Sequence, residues 1–176
     1  MEKNRLHVYT GDGKGKTTAA MGLALRALGH GRRVLIAQFL KDGQSGELSA
    51  IAQLPGAEIY PAQPLKGFVF LMSDEEKRET AAMQRREAQK LTQRILEEKP
   101  EMIVLDELCV ALSTGMVDEE TAEGLLDAAL SCGETVVTGR GAPEWLEKKA
   151  DYVSCIKAVK HPYETEKLSA RAGIEW

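Results

Sequence analysis

A glycine-rich turn between an apolar run and a helical pattern constrains this chain most. Leu6–Tyr9 is typical of a short strand, residues 10–16 read TGDGKGK, and Thr17 begins a stretch with helical periodicity. Glycines let successive backbone N–H groups turn towards one centre, where they and the helix dipole bind phosphate oxygens. A lysine and a hydroxyl residue then complete a phosphate-binding P-loop, in which Lys16 faces the phosphates and Thr17 binds Mg²⁺. The alternative is a glycine turn that enters a helix without any ligand.

Short apolar runs alternate with helical patterns along the rest of the chain, an order that predicts an α/β fold. The predicted strands are Leu6–Tyr9, Val34–Phe39, Ala57–Tyr60 as the weakest, Met102–Leu105, Thr135–Val137 and Tyr152–Ile156. The predicted helices are Thr17–Leu28, Gly46–Leu54, Ser73–Glu98, Asp118–Leu130 and Pro143–Lys149. We therefore expect a P-loop NTPase-like fold, with a mostly parallel central sheet of about six buried strands flanked by helices. Residues 1–176 are expected to form a single domain.

Several residues are predicted to begin or end these helices. Gly29 and Gly31 follow the first helix, where left-handed caps are expected. Ser73, with Glu76 three residues later, predicts a capping box, and Asp118 predicts an N-cap. Pro143 is expected in a first helical turn.

Composition excludes several classes of protein. The net charge is −4, which argues against a nucleic-acid partner. No apolar run of about 18 residues predicts a membrane span, and the first residues lack an apolar signal region. The spacing of Cys109, Cys132 and Cys155 fits neither a disulfide framework nor a metal knuckle. We therefore expect buried, reduced thiols and a cytoplasmic protein.

An acidic pair follows the fourth predicted strand. Asp106 and Glu107 stand at the carboxyl end of that strand, where ligands lie in open α/β sheets. Beside a P-loop, one carboxylate is expected to approach Mg²⁺ directly and the other through water. The alternative is an acid-enriched helix N-terminus. Arg140, in the run TGRG, is the best candidate for a phosphate-binding arginine, with surface packing as its alternative role. No residue is identified as a catalytic base.

Aromatic residues are few, and two of them share an irregular segment. The chain has three phenylalanines, four tyrosines and two tryptophans. Phe68 and Phe70 both lie in the segment from Tyr60 to Met72, which holds two prolines and a glycine and is predicted to be a loop. Loops of this length inside compact domains are often functional. The alternative is that both rings anchor the loop to the core.

Motifs along nearly the whole chain resemble the ATP:corrinoid adenosyltransferases of the CobA/CobO/BtuR type. They are TGDGKGKTTAA at 10–20, ALRALGHG at 24–31, QFLKDG at 38–43, GFVF at 67–70, VLDEL at 104–108, TGRGAP at 138–143, VKHPY at 159–163 and GIEW at 173–176. The family's phosphate loop resembles GNGKGKT and begins at the position of Gly11, with Asp12 replacing the usual Asn. The resemblance implies that a corrinoid reduced to Co(I) attacks C5′ of ATP, and that triphosphate leaves. Because cobalt is the nucleophile, no protein base is needed.

The resemblance also implies roles for individual residues. Lys16, Phe68 and Phe70 are the implied catalytic residues, with both rings against the lower face of the corrin in a loop at about 60–73. The implied nucleotide-binding residues are Thr10, Gly11, Asp12, Gly13, Lys14, Gly15, Lys16, Thr17, Thr18 and Arg140. Thr17 and Glu107 would bind Mg²⁺, with Asp106 behind them. The implied partners are ATP, a corrinoid, a second subunit and a reduced flavoprotein that donates electrons.

Two other functions fit the P-loop alone. An ATP-binding switch that gates a partner needs no catalytic base. A small-molecule kinase would need a base and an acceptor pocket, neither of which the sequence reveals.

Overall fold

Six parallel strands form the centre of the molecule. The computed structural model describes residues 3–63, 65, 67 and 69–174. The strands are β1 Leu6–Thr10, β2 Val34–Gln38, β3 Ala57–Ile59, β4 Met102–Asp106, β5 Glu134–Thr138 and β6 Tyr152–Cys155. Their order in the sheet is β3-β2-β4-β5-β1-β6. The strand before the P-loop, β1, is therefore separated from the acidic strand, β4, by β5, and the carboxyl ends of all three meet at one edge.

Helices cover both faces of the sheet. They are α1 Lys16–Gly29, α2 Gly46–Ile51, α3 Asp74–Glu98, α4 Leu108–Ser113, α5 Glu119–Cys132, α6 Glu144–Lys149 and α7 Pro162–Glu166, with a 3₁₀ turn at Val69–Leu71. The core has two parts because successive strand residues point to opposite faces. Val34 and Val104 pack with α1 and α2 on one face. Leu35 and Leu105 pack with α3 to α6 on the other.

The helix ends agree closely with the sequence. Ser73 and Glu76 form the predicted capping box, and the Asp118 carboxylate accepts a bond from Thr121 N–H at 2.8 Å. Gly31 adopts the expected left-handed conformation with φ of 75°. Two details differ from prediction. Gly29 is still helical, with His30 as the C-cap, and Pro143 is an N-cap rather than a first-turn residue.

The prediction that the sixth strand is buried is wrong. All four residues of β6 are exposed, because β6 lies at the sheet edge and pairs only with β1 among the described strands. An apolar run cannot distinguish a central strand from an edge strand.

The prediction for the cysteines is also wrong in part. All three are free, but only Cys109 is buried, whereas Cys155 is exposed on β6. No described helix is long and apolar enough to cross a membrane.

Gly11 provides a test of how the P-loop is packed. Its φ is 99°, and a Cβ there would lie 2.4 Å from the Ile156 carbonyl oxygen. We expect Gly11→Ala to lower the free energy of unfolding by at least about 1–3 kcal/mol, measured by urea denaturation. Gly22→Ala is the matched control, since a Cβ at this α1 position meets no atom within 4 Å. It should stabilise the protein by about 0.5–1 kcal/mol. Equal effects of the two substitutions would contradict this packing.

Candidate functional site

The P-loop presents backbone N–H groups at the start of α1. Gly15 is the N-cap of this helix, has φ of 112°, and supplies no side chain to bond the first helical amides. Those amides therefore keep their capacity to bind an anion. The loop is also bonded to the segment after β6, because the Gly13 N–H donates to the Ile156 carbonyl oxygen at 2.7 Å. The segment after β6 thus fixes the shape of the phosphate loop.

Lys16 supplies a cation beside these amides. Its side chain is buried, and Nζ donates to the Gly13 carbonyl oxygen at 2.7 Å. Burial, and then the charge of Arg140, lower the pKa of Lys16. The negative charge of an anion bound at the amides would oppose both effects and favour the charged ammonium. The Lys16 ammonium is therefore poised to interact with negative charge that enters the loop.

Asp106 lies at the centre of a buried hydrogen-bond network. Its Oδ1 accepts bonds from the hydroxyls of Thr17 at 2.8 Å and Thr138 at 2.6 Å. Its Oδ2 accepts bonds from Gln38 Nε2 at 2.9 Å and Lys41 Nζ at 2.7 Å. A carboxylate offers about four lone-pair sites, so these four donors occupy all of them. The side chain is 0% exposed, and this saturation explains how a carboxylate can be buried there.

Glu107 follows in an unusual backbone conformation and is joined to this network through its N–H. It has φ of 62°, in the left-handed region, and its N–H donates to Thr138 Oγ1 at 3.0 Å. Glu107 lines the cleft beside the P-loop. Burial, and then the charge of Asp106, raise the pKa of the Glu107 carboxyl. A cation bound in the cleft would reverse this shift.

A large cleft opens over these residues, with a volume of about 1230 Å³. Of the predicted site residues, those that line it are Asp12, Gly13, Lys14, Gly15, Lys16, Thr17, Thr18, Glu107 and Arg140. Leu65 and Gly67 line it from the loop after β3, and Ile174 from the last described residues. The cleft is therefore bordered by the phosphate loop on one side and by the predicted aromatic loop on another.

Four predicted residues are placed elsewhere. Thr10 is buried in β1, with its hydroxyl accepting a bond from Ala142 N–H at 3.4 Å. Gly11 packs behind the loop, and Asp106 lies beneath Thr17. Phe70 is 77% exposed in the 3₁₀ turn and does not line the cleft. Phe68 lies outside the described residues.

Sequence reasoning missed three side chains that hold Asp106. Gln38, Lys41 and Thr138 come from the end of β2, the loop after it, and the end of β5. The signal was available in the motifs QFLKDG and TGRGAP, which contain all three residues. Their roles could not be assigned, because only the strand order shows that these segments meet at Asp106.

The chemistry of this cluster fits a hard divalent cation such as Mg²⁺. Such ions prefer oxygen ligands, and in nucleotide sites they are held by one or two protein groups together with phosphate oxygens. The Thr17 hydroxyl, already oriented by Asp106, and the Glu107 carboxylate are the protein oxygens that could serve as such ligands. Among the described residues no three His, Cys, Asp or Glu side chains gather as a complete metal cage. Thr17 and Glu107 could therefore form a cation site that phosphate oxygens complete.

Comparison with known sequences finds relatives over nearly the whole chain. The sequence model of the ATP:corrinoid adenosyltransferase BtuR/CobO/CobP family matches residues 2–176. A corrinoid adenosyltransferase from Pseudomonas aeruginosa is 32% identical over 177 residues, covering 99% of this chain and 85% of the relative. One from Escherichia coli strain K12 is 31% identical over 176 residues, covering 99% and 87% respectively.

Comparison with solved structures supports the fold. The flagellar accessory protein FlaH from Methanocaldococcus jannaschii superposes with a TM-score of 0.54 at 12% identity, covering 88% of this chain and 72% of that protein. At this identity the likeness concerns the fold alone. Together with the six-stranded parallel sheet, it confirms the predicted P-loop NTPase-like α/β fold.

Proposed function

The chain belongs to the CobA/CobO/BtuR family of ATP:corrinoid adenosyltransferases, and we propose that it transfers the 5′-deoxyadenosyl group of ATP to a reduced corrinoid. The Co(I) centre of the substrate attacks C5′, a cobalt–carbon bond forms, and the bond between C5′ and oxygen breaks. The electron pair of that bond leaves with triphosphate. The reaction serves the synthesis or salvage of adenosylcobalamin.

One observation carries this proposal: the phosphate loop and the loop after β3 border the same cleft. The cleft has a volume of about 1230 Å³. Cavities of about 300–1,000 Å³ suffice for drug-sized ligands, so this one offers room for part of a second substrate beside the nucleotide. Transfer between two bound substrates requires that they share a cavity and are aligned.

The leaving group is the charge that the protein must stabilise. Triphosphate is held by the amides of Lys14 to Lys16 and Thr18, and by the Lys16 ammonium, whereas the Gly13 N–H is already bonded to the Ile156 carbonyl. Arg140 lines the same cleft, where Nη2 donates to the Asp12 carbonyl at 3.5 Å. A guanidinium there can turn towards phosphate oxygens. These groups stabilise negative charge that grows as the bond to C5′ breaks.

Mg²⁺ is the proposed cofactor, with Thr17 and Glu107 as its protein ligands. Bound there with the nucleotide, it would neutralise charge on the triphosphate. Asp106 acts through Thr17 rather than as a ligand, since all of its lone-pair sites are taken within the network. It fixes the hydroxyl so that a lone pair of Oγ1 is presented to the cation.

The corrinoid is proposed to rest against the loop at residues 60–73. Phe70 is exposed there, beside Val69, which packs on the core and anchors the turn. We propose that Phe70, together with Phe68, lies against the lower face of the corrin and excludes the lower ligand of cobalt. A four-coordinate Co(II) is more easily reduced to Co(I). An exposed aromatic ring in a loop that borders the cleft is suited to such a contact.

The remaining assignments are also proposals drawn from the family. We infer that residues 1–176 act as one catalytic domain, that the protein works as a homodimer in the cytoplasm, and that a reduced flavoprotein supplies electrons. Light scattering of the purified protein tests whether it is a homodimer. Reduction of bound Co(II) corrinoid by a flavoprotein tests the proposed electron donor.

The reaction products test the proposed function directly. Purified protein is incubated with ATP, Mg²⁺ and a chemically reduced Co(I) corrinoid. A light-sensitive cobalt–carbon product and an equal amount of triphosphate are expected. Orthophosphate or pyrophosphate as the first product would contradict the proposal. Tyrosine and tryptophan emission that is indifferent to corrinoid in the presence of ATP would instead favour a nucleotide-binding switch.

Thr138 tests the support of the metal site. Thr138→Val removes the hydroxyl that joins Asp106 to the N–H of Glu107. We expect about 1–3 kcal/mol less stability, measured by thermal unfolding. Mg²⁺ affinity in the presence of ATP, measured by calorimetry, should fall about 10–100-fold.

The matched control for this variant is Thr135→Val on the same strand. Its hydroxyl is equally buried and donates to the Gly133 carbonyl at 3.1 Å, away from the site. This variant should lose stability but keep its Mg²⁺ affinity. The same fall in affinity in both variants would show that Thr138 has no special connection with the metal.

A further inference from the structure

The cation that neutralises Asp106 is not the P-loop lysine. Lys16 Nζ is bound to the Gly13 carbonyl, whereas Lys41 Nζ lies 2.7 Å from Asp106 Oδ2. Lys41 is the only cation among the four side chains that bond Asp106 in the described structure. The buried carboxylate is thus paired by a residue from the loop after β2.

Lys41 also reaches the oxygen that is proposed to bind the metal. Its Nζ lies 3.4 Å from Thr17 Oγ1. The Thr17 hydroxyl proton already points to Asp106, so the ammonium approaches a lone pair of Oγ1. A metal ion would need a lone pair of that same atom. The ammonium and the metal therefore compete for Thr17, and like charges so close repel each other.

The backbone before Lys41 supports a specific role for this contact. Leu40 has φ of 51°, a left-handed conformation that residues other than glycine seldom adopt. Its side chain packs against the core, which holds the strained turn in place. The turn brings the next residue, Lys41, back over the end of β2 and onto Asp106. Strain of this kind persists where the surrounding structure enforces it, commonly at functional sites.

We propose that Lys41 is a placeholder cation for the metal site. In the nucleotide-free protein its ammonium occupies the position between Asp106 and Thr17 and opposes binding of a free divalent ion. When a metal arrives with the triphosphate, Lys41 withdraws from Thr17 Oγ1 while it stays bonded to Asp106, and the metal takes the lone pair of Oγ1. Lys41 is a positioning residue, and it makes metal entry depend on the nucleotide. This inference rests on the metal role proposed above for Thr17 and Glu107.

Mn²⁺ binding to the nucleotide-free protein tests the proposal. Free Mn²⁺ is followed by electron paramagnetic resonance in the wild type and in Lys41→Met and Lys41→Gln. Removal of a competing cation should raise Mn²⁺ affinity by at least about fivefold, within the usual range of coupling between two ligands. Lys148→Met is the control, because it removes one positive charge from an exposed ion pair with Glu144 on α6. It should bind Mn²⁺ as the wild type does.

Thermal unfolding keeps the test decisive if the Lys41 variants are unstable. Loss of the partner of Asp106 should lower their melting temperature, and Mn²⁺ should restore it by more than it raises that of the wild type. Lys41→Gln retains a hydrogen-bond donor and should be the less destabilised of the two. Unchanged Mn²⁺ affinity in both variants, or a stabilisation by Mn²⁺ no larger than in the wild type, would overturn the proposal.

The proposal and the function can fail separately. Adenosyl transfer by the wild type, together with unchanged Mn²⁺ affinity in the Lys41 variants, would overturn the placeholder role alone. Tighter Mn²⁺ binding in these variants supports the placeholder role even when no cobalt–carbon product forms. Absence of Mn²⁺ binding to the wild type with ATP present would overturn the metal site and the placeholder role together.

Discussion

Lys16→Ala should slow adenosyl transfer by about 10²–10³-fold, the usual effect of removing one group that stabilises charge in a transition state. The ammonium of Lys16 is buried at the end of the phosphate loop and donates to a neutral partner, the Gly13 carbonyl, which does not neutralise its charge. Its charge is therefore available to the departing triphosphate. Alanine leaves the backbone amides in place, so ATP should still bind.

The measurement must isolate the chemical step. Corrinoid is reduced to Co(I) beforehand, and both triphosphate and the cobalt–carbon product are followed in time. Lys148→Ala serves as the control for loss of a lysine, since that side chain is exposed and far along the chain on α6. Thermal unfolding establishes that Lys16→Ala is folded. Triphosphate release at the wild-type rate would show that the phosphate loop has been assigned wrongly.

Phe70→Ala should impair the reaction that starts from Co(II) corrinoid far more than the reaction that starts from Co(I). Loss of a ring that covers the lower face of the corrin removes a contact worth about 1.5–3 kcal/mol, which corresponds to about tenfold or more in rate. That contact matters for reduction, because it keeps the lower ligand away from cobalt. Once cobalt is Co(I), the same substitution should have little effect.

Leu71→Ala is the matched control for Phe70. Leu71 is the next residue in the same 3₁₀ turn and is 73% exposed, compared with 77% for Phe70. Each substitution should change stability little, since truncation of an exposed side chain is usually within about 0.5 kcal/mol. The ratio of the Co(II) and Co(I) rates should change only for Phe70→Ala. Equal loss in both assays would assign Phe70 to packing of the loop.

Local sequence patterns predicted most of the secondary structure. Strand and helix patterns placed all six strands, and the ends of α1, α3 and α5, close to their observed bounds. Two short helices were missed, α4 with six residues and α7 with five. Five or six residues make fewer than two helical turns, which leaves little room for an apolar pattern to repeat, although the equally short α2 and α6 were predicted. The exposure of β6 was also missed, because it depends on the neighbours of the strand rather than on its composition.

For the site, too, local motifs identified candidate residues, whereas their partners from distant segments were not identified. Lys16 and Thr17 were predicted from one contiguous motif, and Glu107 from its place beside the end of a predicted strand. Asp106 was predicted as an acid near the metal, but its saturation by four donors was not. Those donors come from positions 17, 38, 41 and 138, which are adjacent only in the folded protein.

The sequence by itself determined the α/β class, the glycine-rich turn between β1 and α1, and the family to which the chain belongs. These features depend on local periodicity and on motifs whose residues are contiguous. Tertiary structure alone decided the strand order β3-β2-β4-β5-β1-β6, and with it the meeting of Lys41 and Thr138 at Asp106. A buried carboxylate needs partners from all sides, and only packing of distant segments can provide them.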